Sequence, residues 1–163
     1  FAMKRRHSLS APLLAVIAGT ASAHSPNAGN VPSERLVGAW RVDVAIGPCH
    51  LPEPVAFFSA FNTFHAGGTL SDTNWAPPAT RGPGQGVWRP AGERRFESTF
   101  QFFRYDNPQP SQASGVQEVS VLITLDASGQ GYIGEVNAQQ RDLDGNPAGP
   151  PLCGQAVGTR IGL

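Results

Sequence analysis

Between residues 38 and 161 the chain keeps a two-residue hydrophobic period, broken at short intervals by glycine, proline, asparagine and aspartate, and it sustains no helical period. Side chains of an extended strand alternate between two faces, so the pattern specifies half-buried strands. Eight are readable. Gly38 to Ile46 sets Trp40, Val42, Val44 and Ile46 against Arg41, Asp43 and Ala45, and stops at Gly47-Pro48. Val55 to His65 ends at Ala66-Gly67-Gly68, a tight-hairpin signal, before Thr69 to Asn74. A Pro/Gly-rich loop from Ala76 to Gly86 leads to a short strand at Gly86 to Arg89. Pro90-Ala91-Gly92 then turns into Arg94 to Tyr105, and Asp106-Asn107-Pro108 opens a second long loop to Gly115. Gln117 to Leu125, Gly131 to Arg141 and Leu152 to Ile161 complete the set, with turns at Asp126-Ala127-Ser128-Gly129 and Asp144-Gly145. Only Ser33 to Leu36 invites a helical turn.

Consecutive strands joined mostly by short turns form a meander, and a meander removes its exposed edges most simply by closing on itself. The expected fold is all-β: an eight-stranded antiparallel up-and-down barrel over residues 37–163. Its interior has room for packed side chains or one small ligand. Residues 24–36 read as a polar lead-in. Residues 1–23 read as a leader to be removed: Phe1-Ala2 as a cloning scar before Met3, then basic Lys4-Arg5-Arg6, an apolar run from Leu9 to Ala18, and small residues ending Ala21-Ser22-Ala23. That run is shorter than a membrane-spanning helix needs, so the mature protein is expected in the periplasm or outside the cell, not inserted in a membrane.

Charge and residue usage narrow the chemistry. The chain balances 12 basic against 12 acidic residues; with the three basic leader residues gone, 9 face 12. The arginines are scattered singly apart from Arg94-Arg95, which gives no footing for nucleic acid or an anionic membrane. The only lysine, Lys4, lies in the leader, excluding Schiff-base and pyridoxal chemistry from the mature protein. Cys49 and Cys153 are the only cysteines, and an exported protein with an even count oxidises them. Closing the meander makes first and last strands neighbours, placing Cys49 beside Cys153 in a disulfide.

Gly38-Ala39-Trp40 at the head of the first strand resembles the Gly-x-Trp signature of lipocalins and the wider calycin group, and Phe61 to Leu70 resembles the second hairpin of bacterial lipocalin-like proteins. The resemblance implies that Trp40 plugs the closed end and that Arg160, in the last strand, packs over it. Small barrels similar to allene oxide cyclases and dirigent proteins share the eight-stranded shape.

Aromatic residues crowd two strands. Parity puts Phe57 and Phe61 opposite Phe58 and Phe64, and Phe100 and Phe102 opposite Phe103 and Tyr105. One set fills or lines the barrel; the outer set is expected to form a subunit contact, giving a homo-oligomer. The expected ligand-binding residues are Trp40, Phe57, Phe61, His65, Phe100 and Phe102, around a small hydrophobic or aromatic molecule. His65 shares the face of Phe57 and Phe61 and is read either as a polar group at a pocket mouth or as a surface residue at a hairpin end. The alternative reading is a cofactor-independent isomerase or cyclase in which His65, Tyr105 or an inward carboxylate assists proton transfer. No metal or organic cofactor is expected. His24 would become N-terminal on cleavage and could ligate copper through its amine and imidazole, but nothing brings His50 or His65 to it. Asp142-Leu143-Asp144-Gly145-Asn146 begins like a calcium loop and then fails, with Pro147 in place of the turning glycine, and reads as a plain turn.

Overall fold

The computed structural model describes residues 32–105 and 112–162. The leader, His24 with most of the lead-in, and Asp106-Asn107-Pro108 lie outside the described residues. A single turn of 3-10 helix, Pro32–Leu36, precedes eight strands: β1 Gly38–Pro48, β2 Ala56–Phe64, β3 Thr69–Asn74, β4 Gly84–Pro90, β5 Arg95–Arg104, β6 Gly115–Leu125, β7 Gly131–Arg141 and β8 Leu152–Arg160. Each pairs antiparallel with the next, and β8 returns to β1, closing an up-and-down barrel. Boundaries match the sequence pattern within two residues. Two-residue shifts occur at the end of β1 and at the starts of β4 and β6; β4 starts at Gly84 because Gly84 already pairs with Asp72 and Gln85 with Gln101.

Register decides which residues meet inside. Trp40, Val42 and Val44 on β1 stand opposite Asn62, Ala60 and Phe58 on β2, and Asn62 stands opposite Asp72 on β3. Partners in register share a sheet face, so all of these point inward. Phe57 and Phe61 are paired with Ala45 and Arg41 and point outward, 66% and 55% exposed.

The two ends of the barrel differ. At the closed end, where the hairpins at 65–68, 91–94 and 126–130 lie, Leu36, Trp40, Leu70, Phe96 and Leu125 are all but fully buried. The Trp40 indole donates its N–H to the Leu36 carbonyl at 3.0 Å, tying the helical turn to the barrel floor. The Arg160 guanidinium lies 4.3 Å over the Trp40 ring and donates to the carbonyls of Arg35, Val37 and Gly129. This explains the glycine of Gly-Ala-Trp: Gly38 has φ +137, and a Cβ there would stand 2.6 Å from Arg160 Nη1. The longer loops at 49–55, 75–83 and 142–151 lie at the other end, where β5 also ends and β6 begins. There the Cys49–Cys153 disulfide, with Cα atoms 4.8 Å apart, clasps the β1/β8 seam.

Candidate functional site

Toward the end with the longer loops the barrel is hollow. A cavity of about 220 Å³ runs inward from that end to the ring of Tyr132, walled mainly by aliphatic and aromatic side chains, among them Val42, Phe58, Phe100, Phe102, Val119 and Val136. Its volume follows from side-chain sizes. Ala60, Ala138 and Ala156 sit at inward positions where larger residues would close the lumen, whereas at the other end Trp40, Phe64, Trp88 and Phe96 fill it, their rings packed against one another or against Tyr132. Tyr132 forms the floor because its register partner is Gly158; a Cβ there would overlap the phenol ring at 2.1 Å.

One side of the wall is polar. Asn62, Asp72, Asn74, Ser98 and Gln117 face the lumen between the apolar residues. The Asp72 carboxylate accepts from Arg81 Nη2 at 2.5 Å and from the Asn62 amide at 3.4 Å. Arg81 comes from the loop before β4, which runs beside the end of β5: Gly82 N–H donates to the Phe103 carbonyl and Tyr105 N–H to the Thr80 carbonyl. Anchored so, the Arg81 side chain turns into the barrel, with its guanidinium 3.7 Å over the Phe102 ring. Gly84, the partner of Asp72, leaves the room; a Cβ at Gly84 would stand 2.9 Å from the Asp72 carboxylate and 3.2 Å from the Phe100 ring. Burial raises the Asp72 pKa above the ordinary carboxylate value, and Arg81 and Asn62 oppose the rise only in part. Burial, with the Asp72 charge as a smaller cause, likewise pushes the Tyr132 hydroxyl up, so it stays protonated as a potential donor.

Of the expected pocket residues, Phe100 and Phe102 line the cavity. Trp40 instead lies beneath its floor, fully buried, with the Tyr132 ring centroid 5.0 Å away. Phe57 and Phe61 are corrected to the outer surface, since the register that turns Trp40 and Val44 inward turns them out. His65 shares their face, as parity required, but that face is the outer one. It sits at the closed end, exposed and 3.2 Å from the Ser71 hydroxyl, not at the pocket mouth. Tyr105 is half-buried on the rim and does not line the cavity. Asp142 spends its carboxylate on a turn, accepting from the N–H groups of Asp144 and Asn146. Among the described residues no three His, Cys, Asp or Glu side chains converge as for a metal.

Sequence reasoning missed Asn62, Asp72, Arg81 and Tyr132. The signal for the first two was available: counting across the β2 hairpin from Trp40 places Asn62, and then Asp72, on the inner face. Arg81 carried none, because it belongs to a loop whose path only the folded barrel defines. No family model, curated protein or solved structure matches the chain.

Proposed function

We propose that this is an exported, lipocalin-like barrel that binds a small hydrophobic or aromatic molecule in its interior. The observation that carries the reading is the apolar cavity of about 220 Å³ opening toward the loop-rich end. Pockets for drug-sized ligands span about 300–1,000 Å³, so the occupant is a compact molecule of one or two rings or a short chain, not a long-chain lipid. The Trp40–Arg160 stack above Gly38 agrees with a calycin-type floor. Export is supported by the disulfide, and no helix among the described residues is long and apolar enough to cross a membrane. The exposed Phe57 and Phe61 extend the proposal to a contact with a second copy of the chain. The alternative, a cofactor-independent isomerase or cyclase of the allene oxide cyclase or dirigent type, draws on one observation: a buried carboxyl, Asp72, at the cavity wall.

Native mass spectrometry of the protein incubated with cell extract is expected to show a retained small molecule, and Val136→Trp, which fills the lumen, to abolish it. Absence of any retained mass, together with no saturable binding of toluene by calorimetry, would refute the reading.

A further inference from the structure

Asn62, Asp72, Ser98 and Tyr132 gather at the base of the cavity. Asn62 and Ser98 are the register partners of Trp40 and Trp88, two of the rings that fill the closed end, and Asp72 is the partner of Asn62. With the Tyr132 floor they make the deepest tier of the lumen, and each lines it while at most 7% exposed. The two indoles below are already spent, Trp40 on the Leu36 carbonyl and Trp88 on the His65 carbonyl. The tier above them is not. Among the described residues the hydroxyls of Tyr132 and Ser98 have no hydrogen-bond partner, yet neither is sealed off: the only unpartnered side-chain atoms without accessible surface are Nε and Nη1 of Arg81. Asn62 commits its Nδ2 to Asp72 at 3.4 Å, which leaves its Oδ1 free, and Asp72 Oδ2 receives only that long bond while Oδ1 is held by Arg81. Groups this buried are normally hydrogen-bonded, and a donor or acceptor left unmatched costs on the scale of a whole hydrogen bond. Their open valences face one space, the bottom of the cavity.

Resting on the cavity reading above, we infer that this tier is a hydroxyl-recognition site and that the occupant is an uncharged phenol or small alcohol, bound with its O–H at the floor and its apolar body toward the mouth. The inventory of open groups selects that chemistry. The ionised Asp72 and the Asn62 Oδ1 can only accept, so the occupant must bring a donor; the Tyr132 and Ser98 hydroxyls can donate, so it must also bring an acceptor. One O–H supplies both from a single atom. An ether or a ketone would leave the Asp72 and Asn62 oxygens unmatched. An ammonium would arrive where Arg81 already balances Asp72, and a carboxylate would meet a second carboxylate, each in a site sheltered from water. Burial, with the Asp72 charge as a smaller cause, keeps the Tyr132 hydroxyl protonated and so a donor, and the share owed to Asp72 sets the two within electrostatic reach of one another. Above the tier the wall is mainly apolar, with Phe100 and Phe102 stacked at 6.5 Å, which suits a flat ring.

The test titrates p-cresol, 4-methylanisole, toluene and benzylamine calorimetrically into the full-length protein. A purely apolar cavity prefers toluene to p-cresol, whose hydroxyl would lose its water without compensation. The inference reverses that order: p-cresol binds about tenfold tighter than toluene, 4-methylanisole, which accepts but cannot donate, falls several-fold behind p-cresol, and benzylamine binds weakest. Tyr132→Phe and Ser98→Ala each delete one hydroxyl, and each is expected to weaken p-cresol about fivefold while toluene binds as before. Circular dichroism checks that the variants fold; if Tyr132→Phe does not, Ser98→Ala and the wild-type order decide the matter. Toluene binding as tightly as p-cresol, the result expected if water alone satisfies these groups, overturns the inference while leaving the cavity reading intact. So does a p-cresol preference that survives in both folded variants. A 4-methylanisole affinity equal to that of p-cresol overturns it in favour of a plain acceptor site, and benzylamine as the tightest probe in favour of a cation site. Binding of none of the four sinks both readings together.

Discussion

Each end of this barrel holds an arginine against an aromatic ring, and the two are put to opposite use. Arg160 lies over Trp40 with every nitrogen engaged, beside a floor of fully buried side chains. Arg81 lies over Phe102 with one nitrogen engaged, behind the cavity wall that Phe102 and Asp72 help to form. Small inward residues, Ala60, Ala138 and Ala156, make that lumen where Trp88 and Phe96 fill the other end. The same architecture thus divides into a half that is finished by its own chain and a half that is left incomplete. Stability belongs chiefly to the first and the proposed binding to the second, since loops collect where packing is relaxed.

The division is tested most severely at the β1/β8 seam, which the open end closes covalently and the closed end closes through Arg160. Cys49 and Cys153 are 104 residues apart, and opening a loop of that size is expected to cost about 4–5 kcal/mol in the chain-entropy model. Denaturant midpoints with and without reductant give the total. Hydrogen exchange then locates it: amides near Ile46 and Leu152 should lose more protection than those near Trp40. Uniform loss along the seam would show that the two ends are one cooperative unit and that the contrast is only geometric.

Removing each arginine in turn sharpens the point. Arg81→Met strands a buried carboxylate and is expected to destabilise by about 3–5 kcal/mol, most of it recovered by adding Asp72→Asn. Arg160→Met strands backbone carbonyls that no second substitution can neutralise, and about 1–3 kcal/mol is expected with no such recovery. Urea denaturation of the three variants is sufficient. Equal losses, or an Asp72→Asn change that rescues nothing, would remove the distinction between a charge held for a partner and a clasp held for the fold.

How much of this was legible in the sequence follows from the same division. Closure, strand order and the disulfide rest on local alternation and on first and last strands being neighbours, whereas the Trp40–Arg160 contact came from the resemblance to lipocalins, and each is present. The open half was misread on β2, where alternation by itself names two faces without saying which is inner. Phe57 and Phe61 invite burial and Asn62 invites solvent, yet register with Trp40 reverses both. Hydrophobicity decides a face only where packing is complete. In a half-empty lumen with polar groups on its wall, the inner face carries no purer apolar signal than the outer. Arg81 lay further beyond reach, since it enters the barrel from a loop and owes its place to the room left at Gly84.

The smallest expected effect is also the one that separates the halves by chemistry. Arg160 is bonded to carbonyls, which do not titrate; Arg81 is bonded to Asp72, which does. Burial raises the Asp72 pKa from 3.8 despite the opposing Arg81 and Asn62, so the folded state holds this proton more tightly than the unfolded chain. Linkage fixes the sign: stability falls as pH climbs from 3.8 through the raised folded value and is level above it. Asp72→Asn removes the group, and the difference between wild type and variant should shrink or grow only across that acidic window, with wild type losing ground as pH rises. Glu118 supplies an internal contrast, because its hydrogen bond from Arg141 on the outer wall lowers its pKa and makes its contribution fade as pH falls. Denaturation midpoints for wild type and Asp72→Asn from about pH 3 to 7 isolate the Asp72 term, Glu118 being common to both. A difference that is flat across the range, or that turns in favour of wild type as pH rises, would mean that Arg81 compensates Asp72 fully and that the open half carries no unspent electrostatics.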